Sequence, residues 1–219
     1  METTNLNPII INVNALRAAA LCVADKKDPR YYLHGVYVKI KQGRAENQPR
    51  AVVAGTNGSI LFVGLSEIEP ADASPSIDAW FEQSLIIPID AIKALDKKAK
   101  TVHLSQVTDG AYRLGNTVFT CIYGQYPDIG RVIPDSILLD SKTQTPANYH
   151  PDYLTRANKA LQAYYGSKPT TVYELAQYGT DAGIMHAGEN RAQVVIMPLR
   201  PNGKQGTALS TPAFNRDYL

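Results

Sequence analysis

The sequence predicts an α+β protein made of one strand–helix–strand–strand–strand unit used three times, with helices on one side of antiparallel sheets. Two observations predict it. An apolar segment that runs through a polar residue into an amphipathic helix recurs near residues 9–23, 85–99 and 147–161. After each, the chain turns to Val- and Tyr-rich stretches broken by Asn-Gly, Asp-Gly or lone Gly turn signals.

The first unit begins with the strand Ile9-Ile10-Ile11-Asn12-Val13, with Asn14 as N-cap to a helix opening at Ala15-Leu16. The second repeats this as Leu85-Ile86-Ile87-Pro88-Ile89, capped by Asp90 ahead of Ala91-Ile92. The third is weaker: Ala147-Asn148-Tyr149-His150-Pro151, then Asp152 and Tyr153-Leu154. Counted from each cap, the apolar positions keep one phase. Leu16, Ala19 and Val23 match Ile92, Leu95 and Ala99, which match Leu154, Ala157 and Leu161. Spacings of three and four put each trio on one helical face, and the small alanines predict close approach to a sheet.

Strand material follows each helix. Tyr31–Ile40 and Arg50–Val63 flank the first unit's loop, the second of these carrying the Asn57-Gly58 turn. Thr101–Leu104 and Tyr112–Tyr123 bracket Asp109-Gly110, and Thr171–Gln177 and Gly183–Met197 bracket Gly179. Connections are expected at 67–76 and 134–146, rich in Pro, Ala, Ser or Thr, and from Pro201 the periodicity is gone. Trp80-Phe81 reads as an anchor for a satellite cluster.

Composition excludes several classes. With 44% hydrophobic and 19% charged residues the chain is a folding sequence rather than a disordered one. The longest apolar runs, Pro8–Ile11 and Ala192–Leu199, fall far short of the roughly 20 residues of a membrane helix, so no membrane association is expected. Met1-Glu2-Thr3-Thr4 leads into no signal-like segment, and Cys22 and Cys121 show no CxxC spacing. A cytoplasmic protein with reduced thiols is the expectation.

The charge is uneven. Residues 14–30, 90–100 and 152–168 carry eleven cationic and five acidic side chains, a net +6, which leaves −4 for the rest of a chain whose total is +2. The cations named as a candidate double-stranded DNA surface are Arg17, Lys26, Lys27, Lys93, Lys97, Lys98, Lys100, Arg156 and Lys159. Helices sharing one side would make it basic, the footprint of a surface that tracks phosphates without reading bases. Ordinary solvated helix faces give the same pattern, and charge alone does not choose.

Three motifs, in order, point to a family. Arg30-Tyr31-Tyr32-Leu33-His34-Gly35-Val36 with Val53-Ala54-Gly55-Thr56-Asn57-Gly58 resembles the middle domain of the bacterial sliding clamp, the DNA polymerase III beta subunit. Tyr126-Pro127-Asp128-Ile129-Gly130-Arg131-Val132-Ile133-Pro134 resembles the segment that closes that domain. Val194-Val195-Ile196-Met197-Pro198-Leu199-Arg200 resembles the family's C-terminal strand. The resemblance implies a DNA-clamp fold, covering roughly residues 8–201. Residues 1–135 would be a clamp domain like the family's middle domain, 136–201 the second half of its last domain, and 202–219 a flexible tail.

The resemblance further implies a ring around duplex DNA and a pocket that docks polymerases and other clamp-binding proteins. The pocket walls map onto Thr56, Gly58, Leu61, Pro127, Arg131, Val132, Tyr153, Val195, Met197, Pro198, Leu199 and Arg200. A plain strand alternating into a core would also account for Val195, Met197 and Leu199. Where the family has a His-Arg pair, this sequence has Ser59-Ile60, so the rim is expected to lose basic character. Three units per chain would need four chains for a twelve-unit ring, so a homo-oligomer is expected.

Enzymatic constellations are missing from the sequence. There is no P-loop or GxGxxG, and His34, His103, His150 and His186 are scattered, without metal-ligand spacing. His150 alone falls where the family has a pocket-side polar residue. No catalytic residue, metal or cofactor is assigned. The expected function is a sliding-clamp-like processivity factor in DNA replication that holds DNA non-specifically and docks partner peptides. The alternative is a non-encircling clamp-like module that competes for those peptides or modulates a full-length clamp.

Overall fold

The structure, a computed structural model, describes residues 8–42, 49–70, 78–81, 83–133, 148–176, 182–187 and 191–199. The expected tail 202–219, Arg200, the linker 134–146 and most of the loop from Glu67 to Ser76 lie outside the described residues.

The first unit is β1 (Ile9–Asn12), α1 (Val13–Ala20), β2 (Gly35–Gln42), β3 (Pro49–Thr56) and β4 (Ile60–Glu67), with the short β5 (Glu69–Pro70) after it. A helical turn α2 (Asp78–Phe81) leads to the second unit: β6 (Ser84–Pro88), α3 (Ile89–Lys93), β7 (Thr101–Thr108), β8 (Ala111–Leu114) and β9 (Thr117–Thr120). The third unit has α4 (Pro151–Tyr165), β10 (Glu174–Ala176), β11 (Gly183–His186) and β12 (Ala192–Ile196).

The first two units exchange their leading strands. β1 pairs with β7 of the second unit, and β6 pairs with β2 of the first, both antiparallel. The resulting sheets run β5-β1-β7-β8-β9 and β10-β11-β12-β4-β3-β2-β6. The third unit therefore extends the first unit's sheet, through antiparallel β4–β12 pairing from Ile60↔Ile196 to Gly64↔Ala192.

Each helix starts two residues earlier than the sequence predicts, in all three units. Asn12 rather than Asn14 caps α1, its side chain accepting from the Asn14 N–H at 2.8 Å. Pro88 rather than Asp90 stands at the cap of α3, and Asp90 sits in the first turn. His150 rather than Asp152 caps α4, with Nδ1 accepting from the Asp152 N–H at 3.2 Å. Because the offset is constant, the internal repeat keeps its phase: Leu16, Ala19, Val23, Ile92, Ala157 and Leu161 are all buried.

One predicted strand does not form. Asn148–His150 carries no ladder, although it precedes α4 as β1 precedes α1. Leading strands pair with the neighbouring unit of a swapped pair, and the third unit has no such neighbour among the described residues. Its leading segment turns back onto its own unit instead. The Leu199 N–H donates to the Asn148 carbonyl at 2.7 Å, and the Tyr149 ring fills the space beside Gly183, where a Cβ would meet the Tyr149 oxygen at 2.5 Å.

The main core lies between α1, α4 and the two sheets. Ile9, Ile11, Leu16, Phe62, Leu104, Leu114, Leu161 and Val194 are fully enclosed there. Trp80 belongs to this main core, tilted against Tyr112, rather than to a satellite cluster. Gly55 marks the closest crossing: a Cβ there would run into the Ala19 backbone carbonyl, so α1 rests on β3 backbone to backbone. Cys22 and Cys121 are free thiols.

Candidate functional site: an apolar pocket and a cationic helix layer

Four separated stretches converge on one cavity of about 210 Å³. Its lining draws on Arg30, Tyr32 and Leu33 before β2, on Thr56 and Gly58 through Leu61 at the β3–β4 turn, on Tyr126, Pro127, Ile129 and Val132, and on Val195 and Met197 at the end of β12. A second, smaller core cluster lies beneath it, where Leu33, Ala54, Leu61, Tyr126 and Val195 meet.

The turn is locked by its own polar side chains. Thr56 Oγ1 donates to the Ile60 carbonyl at 2.8 Å and accepts from the Gly58 N–H at 3.0 Å. Asn57 Oδ1 accepts from the N–H groups of Ser59 and Ile60 at 2.9 and 3.0 Å. Gly58 holds φ = 89°, a left-handed conformation that glycine adopts at no steric cost. The Met197 N–H donates to the Ser59 carbonyl at 2.8 Å, so the third unit is stitched to this turn at the pocket mouth.

The opposite wall comes from a short helical turn, Ile129–Arg131, whose cap Asp128 accepts from the Gly130 N–H at 3.0 Å. That turn directs Ile129 and Val132 inward, while Arg131 faces solvent beside Asp128 at 3.3 Å. Tyr126 closes the floor, stacked on Tyr37 with ring centroids 4.7 Å apart. Its hydroxyl is buried and completes no hydrogen bond. Burial pushes this phenol up, and the nearby Thr56 backbone opposes the shift only in part.

The rim keeps one guanidinium, paired with a carboxylate. Arg30 stands over Gly58, where a Cβ would meet Nη1 at 2.5 Å. It binds Asp28 through Nε and Nη2 at 2.9 and 2.7 Å, and Nη2 also reaches the Asn57 carbonyl at 2.9 Å. The hydrogen bonds from Arg30 hold the Asp28 carboxyl down at about 2. With Ser59-Ile60 in place of the family's His-Arg pair, the guanidinium beside this turn comes from Arg30 instead.

Of the residues assigned from sequence, Thr56, Gly58, Leu61, Pro127, Val132, Val195 and Met197 come together in the lining. Arg131, Tyr153, Pro198 and Leu199 stand outside it. Tyr153 packs against the main core and tilts on His150 at 5.1 Å, so His150 serves as helix cap and ring partner. Sequence reasoning missed Arg30, Tyr32, Leu33, Ser59, Ile60, Tyr126 and Ile129 as wall residues. The motifs that signalled the pocket contained most of them; which side chains point inward was not readable.

The helices form one layer, with α1 touching both α3 and α4. Residues 13–26 and 90–100 run antiparallel: the Val13 N–H donates to the Lys100 carbonyl, Arg17 binds the carbonyls of Asp96 and Ala99, and Lys26 meets Asp90 at 3.0 Å. Arg17 is thus half-buried and tied to backbone oxygens rather than offered to a ligand. Lys27, Lys93, Lys97, Lys98, Lys100, Arg156 and Lys159 are exposed on or beside these helices. Arg156 also acts inward: its charge works against the burial that pushes the Cys22 thiol up to about 12.

The described residues hold no cluster of three or more His, Cys, Asp or Glu side chains placed to bind a metal, and no helix long and apolar enough to cross a membrane.

No protein-family model matches the chain, and no curated protein matches it in sequence. Solved structures do. The chain is similar to a beta sliding clamp from Caulobacter crescentus at 15% identity and a TM-score of 0.62, covering 92% of this chain and 67% of that one. A sliding clamp (DNA polymerase III subunit beta) from Bartonella birtlesii, bound to griselimycin, gives 15% identity, a TM-score of 0.63, and coverage of 92% and 68%. A Helicobacter pylori beta clamp bound to a DNA ligase peptide gives 16%, 0.61, and coverage of 90% and 66%. The chain has the sliding-clamp fold and spans about two thirds of the length of these clamps.

Proposed function

We propose that this chain is a sliding-clamp-like accessory factor of DNA replication, without catalytic activity, that docks partner peptides in the pocket between Arg30 and Met197. The carrying observation is the convergence of four separated stretches on one small apolar cavity with the Asp28-paired Arg30 at its rim. Such a cavity takes one or two apolar side chains, with Met197 adapting to their shape and Arg30 meeting polar or acidic flanks. The likeness to a clamp bound to a DNA ligase peptide supports this use of the fold.

The exposed cations of the helix layer support non-specific contact with duplex DNA, through Lys27, Lys93, Lys97, Lys98, Lys100, Arg156 and Lys159. We also carry forward a division into a clamp domain at 1–135 and a half domain at 136–201, and a cytoplasmic setting. A second reading, a peptide-binding module that does not encircle DNA, draws on β9 and β10, which end their sheets among the described residues.

One experiment separates them. The ligase peptide bound by the Helicobacter pylori clamp is titrated against the chain by fluorescence polarisation, and retention is compared on closed circular and linear DNA. Saturable peptide binding with retention on circles alone supports the clamp reading. Peptide binding without retention supports the module, and no peptide binding overturns both.

A further inference from the structure

The three units are not held alike. The first two are interlocked, because each gives its leading strand to the other's sheet: β1 pairs with β7, and β6 with β2. Separating them breaks two ladders at once. Among the described residues the third unit exchanges no strand. It is joined to the first by the β4–β12 ladder and by α4 lying on α1. Through that seam α4 brings Ala157, Ala160 and Leu161, all fully buried, to the main core.

A cavity stands at each end of the seam, whose ladder runs from Ile60↔Ile196 to Gly64↔Ala192. Past the first pair lies the apolar pocket, with Val195 and Met197 from the third unit facing Leu33, Leu61, Tyr126 and Ile129 from the first two. Past the last pair lies a cavity of about 320 Å³, with Tyr164, Tyr165 and Arg191 facing Ile11, Asn12 and Leu65. Polar ties bridge both mouths. At one, the Met197 N–H donates to the Ser59 carbonyl. At the other, the Tyr164 hydroxyl donates to the Leu65 carbonyl and Arg191 pairs with Glu67 at 2.8 Å. Atoms that face a void forgo dispersion contacts, so the seam is weakest where the cavities interrupt it.

We propose that the third unit lifts from the interlocked pair as one body, and that a peptide in the Arg30–Met197 pocket latches it shut. The latch rests on the proposed function, since its occupant is the partner peptide. Lifting takes Val195 and Met197 away from the opposite wall, so the pocket is complete only in the closed state. A ligand that binds one state alone draws the equilibrium to it. Peptide at about a hundred times its dissociation constant therefore lowers the open population about a hundredfold. The third unit also carries Arg156 and Lys159 of the proposed DNA surface, both exposed on α4. Latching fixes them in the helix layer, so peptide and duplex DNA strengthen each other's binding.

Hydrogen exchange read by mass spectrometry on the intact chain tests this, with and without the ligase peptide. Without peptide, the amides of α4, β11 and β12 should exchange together, ahead of those in the β1–β7 and β2–β6 ladders. Tyr164→Phe removes the hydroxyl tie and keeps the ring on Phe62, so it should fold and speed the third unit's exchange roughly three- to tenfold. Saturating peptide, its binding confirmed by fluorescence polarisation, should slow that exchange at least tenfold. Third-unit amides that exchange only as fast as the two ladders, or that ignore Tyr164→Phe, overturn the opening. Exchange unchanged by bound peptide overturns the latch. A peptide that does not bind counts instead against the proposed function, and the order of exchange and Tyr164→Phe still decide whether the unit opens.

Discussion

Replacing Met197 by lysine should abolish most peptide docking while leaving the fold intact. Met197 is 43% exposed at the mouth of the cavity, so the lysine ammonium can reach water and the folded state loses little. The bound state loses more. An apolar partner side chain buried at this mouth gains about 1.5–3 kcal/mol from leaving water, and a lysine stem with a hydrated head beside Arg30 cannot close over it. Taking about 2 kcal/mol, the dissociation constant should rise about 30-fold. Fluorescence polarisation of the labelled ligase peptide reads this directly, with thermal melting as the control for folding. Leu199→Lys is the matched surface control: it is 48% exposed, lies outside the lining, and should leave the constant unchanged. If Met197→Lys binds within threefold of the parent at unchanged melting temperature, the pocket is not the docking site.

The other consequences are as sharp. Replacing Lys93, Lys97 and Lys98 together by glutamine should weaken binding to duplex DNA. It should also reduce the slope of log K against log salt by about 2–3, while peptide affinity stays put. Gly55→Ala should destabilise the chain by about 1–3 kcal/mol in a denaturant melt, because the new methyl meets the Ala19 carbonyl and α1 must lift. Native Cys22 should resist alkylation at pH 8, since burial raises its thiol from 9.0 to about 12. The same shift has a sign for stability. Between pH 9 and 12 the unfolded chain loses this proton and the folded chain keeps it, so stability falls across that window. Cys22→Ala should flatten part of that fall.

Much of the architecture was legible because the repeat is written in apolar phase. Leu16, Ile92 and Leu154 occupy one helical position, and two of these three are buried as that phase demands. The caps were misplaced by two residues because a strand that runs straight into a helix leaves no polar gap to read: Ile11 is buried and Val13 is already helical. Asn14 is a good cap by type, but the chain uses Asn12. The third unit's leading strand was predicted from the weakest copy of the pattern, Ala147-Asn148-Tyr149-His150-Pro151. It fails for a reason outside its own sequence, the absence among the described residues of a unit to receive it.

The pocket was legible as motifs and not as side-chain directions. Arg131 and Ile129 are neighbours on one short turn, yet only Ile129 faces the cavity, because Asp128 holds the arginine on the solvent side. Arg30 at the rim was missed for a similar reason. Arg30 lies 28 residues before Gly58 in the chain and is held against it by Asp28 and the Asn57 carbonyl, a contact that only the fold creates. Arg17 shows the opposite error: a cation counted as a phosphate ligand is satisfied by the carbonyls of Asp96 and Ala99.

The central claim is that partner peptides dock between Arg30 and Met197, and methyl chemical-shift mapping during titration with the ligase peptide tests it most directly. Saturable shifts at Leu33, Leu61, Val132, Val195 and Met197, with Val118 on the far edge unmoved, are the predicted result. Shifts that leave these five methyl-bearing residues still while others move would contradict the account.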